Sequence, residues 1–191
     1  MDLAELTVAI HRRDIDTIET AFGADDPHVR SLALSGLHKV GALTVRHIAL
    51  AATDPERGVR HQLARIGAVD GRIDLCRLVD DIDYAVAETA AWSIGERKSV
   101  GEAELQVLIT NAGGNPHPLV RESCVAALGS IGDQRGLPVI LHACSDKPAV
   151  RRRAILSLAP FSGEDVERTL RAALDDRDWL VRQTAEDLLA D

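Results

Sequence analysis

Cysteine, aromatic residues and strand-forming runs are all scarce in this chain, and each scarcity removes a class of protein. The three cysteines, Cys76, Cys124 and Cys144, stand far apart with no CxxC pair, so neither a disulfide framework nor a zinc site is indicated. The seven histidines, at 11, 28, 38, 47, 61, 117 and 142, show no metal spacing. There is no HExxH, no GxSxG and no glycine loop of the phosphate-cradling kind, so no catalytic residue, metal or cofactor is assigned. No apolar run approaches membrane-spanning length, and the opening Met1-Asp2-Leu3-Ala4-Glu5-Leu6 carries acids where a signal peptide carries bases. A cytoplasmic protein with no membrane association is expected.

Positive charge is also in deficit. Thirty acids against 22 lysines and arginines leave a net charge of −8, which opposes the phosphate neutralisation that drives most nucleic-acid and anionic-lipid binding. Arg151-Arg152-Arg153 is the single compact basic run, and at helical spacing its side chains diverge. No nucleic-acid partner is expected.

What the chain does contain is one phrase written six times. An acidic or capping residue, often followed by proline, leads to Val-Arg and then to an alanine-rich run closing on Leu, Ile and Gly. The arginine position is held by Arg30, Arg60, Ala87, Arg121, Arg151 and Arg182, at intervals of 30, 27, 34, 30 and 31 residues. Such a period describes one supersecondary unit stacked on itself.

After each arginine position the apolar residues fall at helical spacing: Val29, Ala33, Leu37 and Val40 in the first copy, and Val120, Cys124, Leu128 and Ile131 in the fourth. Asp26-Pro27 and Asp54-Pro55 read as an N-cap acceptor with proline at the first helical position. Gly41, Gly71 and Gly132 each follow their arginine by eleven residues and read as left-handed stops. A shorter first helix precedes each of these, predicted at Ile15–Phe22, Leu43–Ala52, Ile73–Val79, Ala103–Thr110, Leu137–Ala143 and Val166–Leu174. Leu3, Leu6 and Ile10 make one more amphipathic helix ahead of the first pair. The segment from Thr110 to Pro118, at the longest interval, reads as an inserted turn-rich loop. The expected fold is all-α, a solenoid of about six helix pairs in one domain, 1–191. A capping helix at about 2–11 leads repeats at about 14–41, 42–71, 72–96, 101–132, 134–162 and 163–191.

The pattern Asp-Pro-x-x-x-Val-Arg-x-x-Ala-x-x-x-Leu-x-x-Ile-Gly is similar to the short HEAT-like repeats of the phycobilisome-lyase type, over nearly the whole chain. The resemblance implies first helices on a convex surface and second helices lining a concave one. It also implies that Arg30, Arg60, Arg121, Arg151 and Arg182 form a structural ladder, each tied to an acid that locks neighbouring repeats. Two copies depart from the pattern, with Ala87 in place of the arginine and Gly67 in place of the leucine. Looser packing is expected there. Without a His-Glu pair, the di-iron hydroxylases built from similar repeats are set aside.

In that geometry the residues one and five positions after the arginine face the groove. They include Ser31 and Ser35, His61 and Arg65, Glu88 and Trp92, Glu122 and Ala126, Arg152 and Leu156, and Gln183 and Asp187. Trp92 has two readings, an exposed interface anchor or a filler of the space beside Ala87. Trp179, at a helix entry, reads as a packing residue. The expected function is a non-catalytic scaffold or adaptor that holds a protein partner in the groove through His61, Arg65, Glu88, Trp92, Glu122 and Arg152. One alternative implied by the resemblance is an accessory bilin lyase or tetrapyrrole chaperone, for which Glu88, Trp92 and Glu122 would supply carboxylates and an aromatic wall. Another is a DNA-repair protein resembling the HEAT-like alkylpurine glycosylases, which the acidic balance disfavours. The last helix, lacking a polar cap, suggests weak self-association or a partner contact at that end.

Overall fold

The computed structural model describes residues 2–190; Met1 and Asp191, the ends of the expected domain, lie outside them. The described residues form thirteen α-helices, one 3-10 turn at Gln134–Gly136 and no strand. After α1 (Leu3–Arg12) the helices come in pairs. These are α2 (Ile15–Phe22) with α3 (Pro27–Val40), α4 (Val45–Ala51) with α5 (Arg57–Gly67), and α6 (Leu75–Val79) with α7 (Tyr84–Gly95). They continue as α8 (Glu102–Gly114) with α9 (Pro118–Ile131), α10 (Leu137–Ala143) with α11 (Pro148–Leu156), and α12 (Glu164–Ala173) with α13 (Trp179–Ala190).

Helices this short are marginal alone in water, and here each is fixed by its ends and by its neighbours. Asp26 accepts from the His28 amide with Pro27 in the first helical position of α3, and Gly41 and Gly132 end α3 and α9 with φ of 80° and 69°. One continuous core then runs the length of the stack, from Leu6 of α1 to Ala185 of α13. The helix α1 covers the first end of that core through Leu6, Ala9 and Ile10. Gly36 receives the side chain of Ile10, since a Cβ there would lie 2.6 Å from it.

The second helices α3, α5, α7, α9, α11 and α13 pack each on the next in an unbroken row, whereas among consecutive first helices only α6 with α8 and α8 with α10 make substantial contact. Where one row of a two-row stack is the more closely spaced, the stack bends toward it. The exposed surface of the second helices is therefore the concave one.

Four arginines bridge consecutive repeats with the same bond pattern. Arg30 donates from Nε and Nη2 to both carboxylate oxygens of Asp54 (2.8 and 2.9 Å). Arg60 does so to Asp81 (2.7 and 2.9 Å), Arg121 to Asp146 (2.7 and 2.7 Å) and Arg151 to Asp176 (2.7 and 2.9 Å). The remaining nitrogen, Nη1, donates back to loop carbonyls of the arginine's own repeat, for example those of Asp54 and Asn115 from Arg60 and Arg121. A guanidinium used on all sides in this way fixes the loop of one repeat against the loop of the next. The hydrogen bonds from Arg121 and Arg151 hold Asp146 and Asp176 below the usual carboxylate range, against a smaller opposing effect of burial. Arg182 makes the backward bond to the Asp176 carbonyl (2.6 Å) but meets no carboxylate of a further repeat among the described residues.

Several local expectations need correction. The helix α5 begins at Arg57, after Glu56, and Asp54 accepts from the Glu56 amide (2.9 Å) while its carboxylate is held by Arg30, so Asp54-Pro55 shapes the entry turn and not the helix start. Gly71 is not a left-handed stop, because α5 already ends at Gly67. At Gly67 packing is tight: a Cβ would sit 2.5 Å from Leu75, whose buried side chain occupies the space. The expected loop from Thr110 is helix through Gly114. Asn111 is buried and donates to Asp80 (2.9 Å), and Asn115 donates to Asn111 (2.8 Å), which anchors one further turn of α8. Trp179 is 63% exposed at the start of α13 and is not a packing residue.

Candidate concave groove

Successive turns of α7 carry Glu88 and Trp92 on one face, with Glu96 following at the C-cap just after the helix; Glu122, Ala126 and Ser130 repeat the same four-residue step on α9. These two rows face each other across a groove of about 390 Å³ that Leu119 and, from α11, Arg153 complete. Its floor is low because the residues at its base are small: Gly95, Ser123 and Ala127, with Ala126 of the α9 row beside them. Gly95 is required for this depth, since a Cβ there would stand 2.9 Å from the Ala127 Cα and push the helices apart. Ser130 donates from its hydroxyl to the Gly95 carbonyl (3.1 Å) and ties the two helices at one end.

Trp92 forms the aromatic wall, 48% exposed, and so is not a filler of space beside the buried Ala87. Three carboxylates line the groove, those of Glu88, Glu96 and Glu122, against one guanidinium, Arg153, whose Nε stands 3.9 Å from Glu122 Oε1. Ser123, only 8% exposed, also lines it, and its hydroxyl bonds to no described residue.

The structure brings Glu88, Trp92 and Glu122 together and leaves the other expected groove residues outside. His61 and Arg65 lie one helix away on α5. Burial, and next the nearby Arg65, lowers the His61 pKa and so disfavours the charged imidazolium there. Arg152 turns toward the last repeat and pairs with Asp178 (2.9 Å). Glu96, Leu119, Ser123, Ser130 and Arg153 were not anticipated. Extending the four-residue step from Trp92 to Glu96 and from Ala126 to Ser130 would have found two of them. Arg153 reaches the groove from a neighbouring repeat, which spacing within one helix does not reveal.

Two rows of antiparallel helices, stacked by a repeating arginine–carboxylate bond and presenting one concave face, define an α-solenoid repeat protein. A family model of HEAT repeats matches residues 74–159 and 105–190, together more than half of the chain, and the protein belongs to that family. Among solved structures it is similar to an engineered protein from a structural-genomics programme, at 17% identity and a TM-score of 0.63, covering 93% of this chain and 97% of that one. It is also similar to the designed armadillo repeat protein YIII(Dq)4CqI, at 16% identity and a TM-score of 0.59, covering 92% and 98%. A further designed armadillo repeat protein, YIII(Dq.V1)4CPAF in complex with peptide (KR)4, matches at 17% identity and 0.61, covering 99% and 93%. At these identities the likeness is one of fold. No curated protein matches the sequence.

Proposed function

We propose that the protein is a non-catalytic scaffold that holds a segment of another protein against the α7–α9 groove. The observation that carries this reading is the half-exposed Trp92 indole standing as a wall over a floor of small residues. A large rigid aromatic beside a preformed depression gains contact area at little ordering cost, which is the usual composition of an interface anchor. A fold neighbour solved with a bound peptide supports the same use of a helical stack. No described helix is long and apolar enough to cross a membrane.

The test is capture of partners from host lysate by three folded baits: the natural protein, Trp92→Ala, and Val45→Ala on the opposite row of helices. A partner lost with Trp92→Ala and kept with Val45→Ala supports the reading. Equal capture by all three removes the groove from it.

A tetrapyrrole-handling role is the second reading, favoured by one observation: Glu88, Trp92 and Glu122 do line a single groove. A visible absorbance band on mixing with bilin or haem, lost in Trp92→Ala, would support it. A cationic DNA groove has no support here, because carboxylates outnumber guanidinium groups three to one in the lining.

A further inference from the structure

Resting on the scaffold reading, we infer that the groove takes a lysine or arginine side chain of the partner, its cation lying on the Trp92 indole between the carboxylates of Glu88 and Glu122. The first argument is charge. Three carboxylates converge on this groove, and the single guanidinium there stands beyond hydrogen-bonding distance of the nearest one. An anionic side chain would meet repulsion on both rows, and a purely apolar one would bury carboxylates without compensation.

The second argument is the aromatic wall. The face of an indole attracts a cation through its quadrupole, more strongly than either of the other aromatic side chains does. Glu88 and Trp92 are one helical turn apart, so an ammonium or guanidinium over the ring is within reach of a carboxylate on the same helix. The stem of the lysine or arginine would then lie along Leu119 and the alanine floor, leaving its head among the acids. The third argument is Ser123, nearly buried, lining the floor and unpaired, which offers a hydroxyl acceptor to a donor descending from above.

The test uses the full chain labelled with nitrogen-15, with Trp179→Phe so that one indole N–H signal remains. Blocked heptapeptides of alanine and glycine with a central arginine, glutamate or leucine are titrated in turn. The arginine peptide is expected to move the Trp92 signal and to bind at least about ten-fold more tightly than the glutamate peptide. In Glu88→Gln with Glu122→Gln, a pair of near-isosteric changes at the surface, its affinity is expected to fall about five-fold or more, and added salt is expected to weaken it in the parent. Tighter binding of the leucine or glutamate peptide overturns the basic class while leaving the groove as a binding surface. A Trp92 signal unmoved by all three also overturns it, and capture of a partner that still depends on Trp92 would then show that the scaffold reading survives alone.

Discussion

Ala87 and Asn115 occupy, in two consecutive repeats, the places that elsewhere hold the arginine and the carboxylate of the inter-repeat bond. Asn115 keeps the rest of the role: it accepts from the His117 amide (2.9 Å), as Asp81 accepts from the Asp83 amide (2.9 Å), and its carbonyl receives Arg121. A carboxylate facing a buried alanine would have no counter-charge, and the amide gives the same turn without that cost. The joint is held by other means: the Asp80–Asn111–Asn115 chain of hydrogen bonds, the stacked rings of Tyr84 and His117 with centroids 4.0 Å apart, and the close approach of α7 to α9 at Gly95. The joint without an arginine is thus also the one that forms the floor of the groove.

The arginines differ in what they hold. Arg121→Ala strands Asp146 and two loop carbonyls, and is expected to cost about 2–3 kcal/mol in urea unfolding, with Arg121→Lys recovering little because the fork geometry is lost. Arg182→Ala removes only the backward bond to Asp176 and is expected to cost about 1 kcal/mol or less. Equal losses would show that the bond across repeats adds nothing beyond the local one.

Two glycines should respond to alanine in opposite directions. A Cβ at Gly129 would lie 2.6 Å from the Ser157 side chain and 2.9 Å from its Cα, so Gly129→Ala is expected to lower stability by about 1–3 kcal/mol through separation of α9 and α11. Gly58 meets nothing within 4 Å in the first turn of α5, and Gly58→Ala is expected to raise stability by about 0.5 kcal/mol. Thermal unfolding of both variants reads the contrast, and a neutral Gly129→Ala would mean that the helices can shift apart freely.

Acid should unlock the ladder. Asp146 and Asp176 are held low chiefly by hydrogen bonds from Arg121 and Arg151; at Asp54 and Asp81 burial is the largest single effect and acts upward, and it is outweighed by the hydrogen bond from Arg30 or Arg60 together with the amide of Glu56 or Asp83 and the arginine charge. A carboxyl depressed in the folded state adds stability that is complete above its unfolded value, about pH 4, and is lost as pH falls from there through its folded value. Helical circular dichroism should therefore hold steady from neutrality to about pH 4 and fall below it, with Arg121→Ala showing a shallower dependence. An unchanged slope in that variant would assign the acid transition to other groups.

Thiol reactivity should follow burial. Cys124 lies fully inside the stack and burial pushes its thiol up to about 12, as it does that of Cys144, while Cys76 is partly exposed. In native buffer at pH 8 a maleimide is expected to label Cys76 first and Cys124 only as the chain unfolds. Rapid labelling of Cys124 without denaturant would reveal local opening of α9.

The repeat itself was legible in the chain because it is local. Proline at the first helical position, glycine at the stop and apolar residues at helical spacing act within a few residues, so α2, α3, α9 and α10 follow from their own segments. Part of the groove was legible for the same reason: Glu88, Trp92 and Glu122, three of the six expected binding residues, lie on faces that periodicity defines. Arg65 and Arg152 obey the same periodicity and yet stand apart from it, since which helix approaches which is not written in a single segment.

The chain read alone defines the repeating unit: its helices, its apolar stripes and the recurring arginine position. How neighbouring units meet, including which acid each arginine holds, is settled between segments in three dimensions. Whether Gly67 loosens the stack or admits Leu75, whether Asn111 ends in a loop or extends α8 to reach Asp80, and whether α7 and α9 enclose a groove all depend on contacts across repeats. Such contacts are set by the shapes of two surfaces at once, and a helical period read along one of them carries no information about the other.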